Sequence, residues 1–547
     1  MANGHLLFFP YPLQGHINPM MQLSKRLSKL GLTVSLLIAS NTHREPYTSD
    51  DYSITVHTIH DGFLPHEHPL TKIKDPLRFN VSTTRSLTDF ISSEASGHVL
   101  VFPYPFQGHI NPMIQLSKRL SKKGLTVTLI IASNNQREPY TSDVYSIIVH
   151  TIHDGFLSHE HPQTKFNEPQ RFINSTTRSL TDFISREKLK SNPPKALIYD
   201  PFMPFALDVA KELDLYVVAY STQPWLASLV YYHINEGTYD VPDDRHENPT
   251  LASFPAFPLL SQNDLPSFAR EKGSYPLLFE LVVNQFSNLW RADLILCNTF
   301  DQLEPKVVKW MSDQWLVKNI GPMVPSKFLD NRLPEDKDYD LGDFKTEPDE
   351  SVLRWLASKP AKSVVYVAFG TLAALSEKQM KETAMAIRQT GYNFLWSVRD
   401  SERSKLPSGF VEEALEKDYG LVAKWVPQLE VLSHDSTGCF VTHCGWNSTL
   451  EALCLGVPLV GMPQWTDQPT NAKFIEDVWK IGVRVKAHEE GFVSKEEIAR
   501  CIVEVMDGEK GKEMRKNVEK LKVLAREAIS EGGTSDKNID EFVALWT

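Results

Sequence analysis

Six consecutive residues, His443-Cys444-Gly445-Trp446-Asn447-Ser448, carry the densest chemistry in the chain. They follow a short apolar strand at 439–442 and open a helix near Trp446. Glycine lets backbone and ligand approach closely. A helix start offers free N–H groups and about half a positive charge. Asn447 and Ser448 add side-chain donors. The combination suits a diphosphate at the carboxyl end of a strand, where ligands sit in open α/β sheets. Glu451 falls one turn after Asn447 on the same face, where a carboxylate could accept both hydroxyls of a ribose. The plainer reading is a bare anion site.

A second candidate is an imidazole that occurs twice. "FPYPLQGHINPM" at 9–20 contains His16, and "FPYPFQGHINPM" at 102–113 contains His109. Each lies past a strand end and just before a helix start, where the dipole disfavours a protonated ring. A lone histidine in such a turn is otherwise structural. Asp200 ends the later strand "ALIYD". The carboxyl ends of a parallel sheet share one rim, so this aspartate and an upstream histidine can meet; helix capping is its plainer role.

The elements that must position these groups alternate strand and helix, which argues for an α/β fold with parallel sheets. Residues 5–92 repeat as 98–185 at a constant offset of 93, with about 20 of roughly 88 positions differing. A solenoid needs at least three shorter units, so this is a duplicated piece of one domain. In each copy a buried strand leads to a helix. In the second, Asn111 is expected to cap that helix with Pro112 first, Met113, Leu116 and Leu120 to share a face, and Gly124 to end it. Only the second copy runs on, through about ten residues, into "ALIYD". It is therefore expected to fill the sheet. The first copy is then an appendage, or a product of imperfect gene duplication or gene modelling. The expected divisions are the duplicate at 1–95, an N-terminal domain at 96–330, a C-terminal domain at 331–530, and a last helix at 531–547 packing back on the N-terminal domain. The acidic stretch 325–350 reads as the interdomain linker, and its Asp336-Lys337-Asp338 and Asp338-Tyr339-Asp340 patterns as a solvated acidic run rather than a metal site.

Bulk properties exclude several classes. With 547 residues, two or three domains are expected. A net charge of −11 disfavours nucleic acid and anionic membrane surfaces. No apolar run approaches the roughly 20 residues of a membrane span, and the start reads as a strand rather than a signal peptide. Five cysteines in apolar settings fit reduced thiols and a cytoplasmic location, where the sequon at Asn447 has no meaning. The histidines of "HTIHDGFLSHEHP" sit in a loop and form no obvious closed ligand set.

The stretch from Trp425 to Gln468 resembles the plant secondary-product signature W-x-P-Q…H-C-G-W-N-S…E…G-V-P…D-Q. The match includes Trp425-Val426-Pro427-Gln428, the His443–Ser448 hexad, Glu451 and Asp467-Gln468, over a span of 44 residues. "STQPW", "LCNTFDQLE", "GPMVPS" and "GGTSDKNIDEF" support it. Residues 98–547 thus resemble the plant UDP-glycosyltransferases, and look closest to the small-acid glucosyltransferases that include enzymes for auxin-like and jasmonate-like carboxylates. The extra copy in front departs from the pattern.

That resemblance implies a GT-B fold, two Rossmann-like domains facing a cleft, with UDP-glucose held by the C-terminal one and the acceptor by the other. It implies that Trp425 stacks on uracil and Gln428 meets the nucleoside, with Val426 beside them. Thr371, His443, Gly445, Asn447 and Ser448 hold the diphosphate, Trp446 contributing mainly backbone. Glu451 takes the ribose, and Asp467 and Gln468 the glucose. His109 resembles the catalytic base and Asp200 its orienting acid, with His16 a stranded duplicate. The expected outcome is a β-glucoside formed by direct inversion on a small acceptor such as a hormone or secondary metabolite. No metal or other cofactor is expected, and the chain is expected to be a monomer. The rival readings are a non-catalytic UDP-sugar or small-molecule binder whose acceptor cleft the duplicate blocks, and a misassembled gene model whose true product begins near Ser96.

Overall fold

A computed structural model of the chain describes residues 5–8, 14–29, 33–40, 47–48, 54–60, 97–135, 137–142, 144–160, 168–239, 254, 258–270, 273–274, 276–341, 350–488 and 491–546. They form two compact units, the first of Met1–His98 with Arg186–Pro193, the second of Val99–Ser185 with Pro194–Trp546.

The first unit holds a four-stranded sheet in the order His5–Phe8, Thr33–Ser40, Ile54–His60, Tyr47–Thr48. Val34, Leu36, Ile54 and Val56 form its small core. Val34 pairs with Ile54, as Val127 pairs with Ile147 in the second copy, so the duplicated sequence reproduces the same register. His16 lies in the helix Gln14–Ser28, and its side chain is outside the described residues.

In the second unit, copy two is the part built into the large sheet. That sheet runs Val317–Asn319, Leu294–Cys297, Tyr216–Ser221, Pro194–Tyr199, His98–Phe102, Thr126–Ser133, Ile147–His153, Tyr140–Thr141. Its last edge strand is antiparallel. A second sheet of six parallel strands runs Gly420–Ala423, Asn393–Ser397, Val364–Ala368, Thr437–Thr442, Leu459–Gly461, Gly482–Arg484. Both are covered by helices, and their central strands are fully buried, as continuous apolar runs require. This is the expected α/β architecture.

The helix after the His98–Phe102 strand starts earlier than its cap signals imply. It spans Gln107–Lys122, and Pro112 is inside it. Phe106 is extended, and its carbonyl accepts the N–H groups of His109 and Ile110, both at 2.9 Å, which closes the first turn. Asn111 is therefore not the cap. Pro112, sixth in the helix, has no N–H to give to the carbonyl of Gly108 four residues back. Gly124 does end the helix, at φ +96°.

The acidic stretch after residue 325 also departs from expectation. Asp336 is buried, 2.9 Å from the equally buried Lys118 ammonium, and accepts the Ser326 N–H at 2.7 Å. Asp330 meets Arg119 at 3.3 Å. Lys118 and Arg119 point inward from the Gln107–Lys122 helix, and burying those cations calls for nearby carboxylates. The run is thus an ordered strap up to Leu341, anchored by the buried carboxylates of Asp330 and Asp336, while Glu335, Lys337 and Asp338 are exposed as a solvated run requires; residues 342–349 lie outside the described residues. The helix Thr534–Val543 packs on the Val317–Asn319 edge, with Ser535 donating to the Gly321 carbonyl at 2.6 Å and Asn538 to that of Asn319 at 2.7 Å. All five cysteines are buried and unpaired. Among the described residues no helix is long and apolar enough to cross a membrane.

Candidate active site

One half of the site stands on the carboxyl rim of the eight-stranded sheet. Asp200 follows the Pro194–Tyr199 strand, and its N–H bonds the Phe102 carbonyl of the neighbouring strand at 3.0 Å. Its Oδ1 accepts the Phe202 N–H at 3.0 Å, a local turn that locks the carboxylate. Its Oδ2 lies 2.7 Å from His109 Nδ1. That contact selects the tautomer with the proton on Nδ1 and leaves Nε2 as the basic nitrogen. Thr222 Oγ1 flanks Nδ1 at 3.0 Å. The rings of Tyr104 and Phe202 pack on the imidazole with centroids 5.4 and 4.9 Å away. Asp200 is 1% exposed and His109 16%, so the orienting acid is sealed and the ring keeps an open edge.

The other half stands on the rim of the six-stranded sheet. The Thr437–Thr442 strand runs into His443 and then into Cys444, which sits in the left-handed region at φ +64°. Gly445 is the cap of the helix Trp446–Leu455. Two glycines are forced by the imidazole between them: a Cβ on Gly370 or Gly445 would lie 2.7 or 2.5 Å from His443 Nε2. Burial pushes His443 down to about 4, so it is a neutral donor or acceptor at working pH. Thr371, after Gly370, is exposed, with its carbonyl held by Arg399. The Trp446 ring points inward and donates to the Asn298 carbonyl at 2.8 Å, which leaves its backbone for the helix start.

Gln428, Ser448 and Glu451 form one hydrogen-bonded cluster with Tyr366 and Tyr339. Trp425 is 41% exposed, a free face for stacking, while Val426 beside it is buried. Gln428 accepts from the Tyr366 hydroxyl at 2.9 Å and donates to Ser448 Oγ at 3.0 Å and Glu451 Oε2 at 2.6 Å. The other oxygen of Glu451 accepts from Tyr339 at 2.9 Å. Burial lifts the Glu451 carboxyl to about 7, against the opposing pull of its Gln428 and Tyr339 hydrogen bonds. Asp467 is clamped by Thr466 Oγ1 at 2.6 Å and Asn471 Nδ2 at 2.7 Å, and burial raises its carboxyl as well. Gln468 is buried, and its Oε1 accepts the N–H groups of Gln464 and Trp465 at 2.9 and 3.0 Å.

The two halves meet at the helix starts. Asn447 Nδ2 donates to the Gly108 carbonyl at 2.8 Å, the carbonyl that Pro112 leaves without its helical partner. The Ser261–Arg270 segment adds a clasp: Ser267 and Thr466 exchange hydrogen bonds at 2.8 and 2.7 Å, and Asp264 holds Arg484 at 2.6 Å. The structure thus brings the His109–Asp200 pair to Asn447 through the Gly108 carbonyl, ties Asp467 to the Cys444 carbonyl through Asn471, and joins Gln428, Ser448 and Glu451 in a separate cluster. Sequence reasoning missed Thr222, Asn471 and Tyr339. Thr222 was findable, because it follows the Tyr216–Ser221 strand onto the same rim. Tyr339 carried no signal within an acidic stretch.

The sequence profile described as "UDP-glucoronosyl and UDP-glucosyl transferase" matches residues 97–527. The chain belongs to this family. It is 83% identical over 457 residues to UDP-glycosyltransferase 74C1 of Arabidopsis thaliana, covering 84% of this chain and 100% of that protein. To the Flavonol 7-O-beta-glucosyltransferase UGT74F1 of the same plant it is 44% identical over 462 residues, 82% of this chain and 98% of the relative. Among solved structures, Os79 from O. sativa in complex with UDP superposes with a TM-score of 0.74 at 36% identity, covering 82% of this chain and 100% of Os79. The fold is that of the GT-B UDP-glycosyltransferases, and the chain is an enzyme of that class. The profile begins at the second copy of the duplicated segment.

Proposed function

We propose that this UDP-glycosyltransferase is an inverting, UDP-glucose-dependent glucosyltransferase acting on a carboxylate or hydroxyl of a small apolar acceptor of the plant-hormone or secondary-metabolite kind. The observation that carries it is the junction itself: a carboxylate-oriented imidazole sits on a helix whose Gly108 carbonyl is bonded to Asn447 of the HCGWNS turn. The 44% identity to a protein named as a beta-glucosyltransferase supports glucose and the β product.

In this reading 96–330 binds the acceptor, 331–530 the donor, 531–547 ties the two, and 1–95 lies outside the catalytic unit. Trp425 and Val426 receive the uracil, and Gln428 and Glu451 the nucleoside. Thr371, His443, Gly445, Trp446 through its backbone, Asn447 and Ser448 hold the diphosphate. Asp467 and Gln468 take the sugar hydroxyls. His109 Nε2 accepts the acceptor's proton as that oxygen bonds to the anomeric carbon and the bond from that carbon to the β-phosphate oxygen breaks. Asp200 stabilises the imidazolium that results. UDP leaves with the bonding electrons, its added charge met by the helix start and side-chain donors. The donor site needs no metal in this scheme, and the protein works as a cytoplasmic monomer. An acceptor panel with UDP-glucose, read as UDP release and product mass, tests it. Binding of UDP without turnover on any acid, phenol or alcohol would favour a non-catalytic binder.

A further inference from the structure

The strap between the two sheets does more than connect them. On one side it is fastened to the helix that carries His109. Lys118 Nζ bonds Asp336 Oδ1 at 2.9 Å and the Asp338 carbonyl at 2.7 Å, and Gln115 Nε2 bonds the same carbonyl at 3.0 Å. The Asp340 N–H folds back on Asp338 Oδ1 at 2.9 Å, which fixes the turn between them. Tyr339 sits at that turn. Its ring packs half-buried against the core, and its hydroxyl reaches Glu451 Oε1 at 2.9 Å. Both oxygens of Glu451 are thus held, but by unequal partners. Oε2 shares the Gln428 amide with Ser448, and these three residues all belong to the proposed donor site. Oε1 is held by a residue outside the signature altogether.

We propose that Tyr339 is a positioning residue of the nucleoside site, its hydroxyl holding Glu451 ionised and oriented to receive the ribose hydroxyls. The inference rests on the donor-site reading above. A buried carboxylate with one neutral amide as its other partner protonates readily, and a protonated carboxyl accepts poorly. Tyr339 is suited to oppose this. Burial and the neighbouring Glu451 raise its own ionisation well above the usual value, so it remains a donor throughout the working range. The groups facing Glu451 are Tyr339 from the strap, Tyr366 from the Val364–Ala368 strand, Gln428, and Cys454 from its own helix. Asp336 acts on Tyr339 and Lys522 on Cys454. The Glu451 carboxyl, already lifted to about 7, moves higher when the tyrosine donor is removed. Loss of UDP affinity on acidification then begins at a higher pH.

The test is calorimetric titration of the full chain with UDP from pH 5.5 to 8.5, together with the KM for UDP-glucose. Tyr339→Phe keeps the ring and removes the hydroxyl. Its Kd is expected to rise about tenfold at pH 7 and to approach the wild-type value near pH 8.5, with the kinetic loss falling on KM rather than kcat. In a Glu451→Gln background the same change is expected to do nothing to the pH profile. Replacement of Tyr339 by 3-fluorotyrosine, a more acidic donor of nearly the same shape, should move the acid limb downward even if the Phe variant folds poorly. A Phe variant with wild-type affinity and limb, or a fluorotyrosine variant with an unmoved limb, overturns the inference alone. Failure of the wild-type chain to bind UDP overturns the donor-site reading and this inference with it.

Discussion

His109 hydrogen-bonds through Nδ1, to Asp200 and Thr222, so in the proposed mechanism its contribution is a proton accepted at Nε2. General-base assistance is worth about 10²–10⁴ in rate, roughly 3 to 5.5 kcal/mol. A carboxylic acceptor is already ionised at pH 7 and has little need of it. His109→Ala is therefore expected to lower kcat/KM by about 10²–10⁴ on phenols and alcohols and far less on acids; equal losses on the two classes would refute a base role. His443 makes the opposite kind of prediction. Its imidazole is depressed from 6.5 to about 4 by burial, so the folded state resists protonation. Stability from this group is complete above pH 6.5 and falls as pH drops towards 4. Thermal melts in that window should be steeper in pH for wild type than for His443→Gln, provided the variant still folds. The residues of the candidate donor half were picked out because the signature fixes type and spacing together. Asn471 was not, since it acts on a neighbour's orientation and would look ordinary in any helix, whereas Thr222 could be placed on the rim by the strand it follows.

At the scale of elements, the helix Trp225–Asn235 shows how a buried charge can serve packing. Glu304 is buried and accepts the Leu226 N–H at 2.9 Å, satisfying a donor at that helix's first turn. Burial raises its carboxyl from 4.5 to about 7. A raised carboxyl favours the protonated form in the folded state, so this group's contribution is best below pH 4.5 and declines as pH rises to about 7. Glu304→Gln keeps an acceptor for Leu226 and removes the charge. Its melting temperature is expected to depend less on pH between 5 and 7.5 than that of wild type. The same scale exposes a misreading of Pro112. Proline marks helix starts often enough to suggest one at 111–112, yet the first turn closes on Phe106 because His109 and Ile110 both find its carbonyl. The strands were easier, since buried parallel strands are written as uninterrupted apolar runs.

For the whole molecule, the strap is the element that composition misjudged. Acidic residues in sequence look solvated, but Lys118 is 2% exposed and its partner Asp336 0%. Breaking such a pair from one side leaves an uncompensated buried charge, at about 3–5 kcal/mol. Lys118→Met should therefore lower stability far more than Lys381→Met, which loses only an exposed helical pair; denaturant midpoints decide it. The duplicate is the other whole-molecule feature. Because the large sheet is built from copy two, a chain starting at residue 97 is expected to keep kcat/KM within about threefold of the full chain. A collapse of activity on removing 1–96 would refute that.

The repeated register has a consequence for how the chain is made. Copy one leaves the ribosome 93 residues ahead of copy two and carries nearly the same edge. When the Pro194–Tyr199 segment emerges, two look-alike half sheets are expected to compete to receive it, and only copy two has the short tether that the finished enzyme uses. The nascent polypeptide must settle a contest that its single-copy relatives never meet, and recovery from denaturant should be slower and less complete for 1–547 than for 97–547.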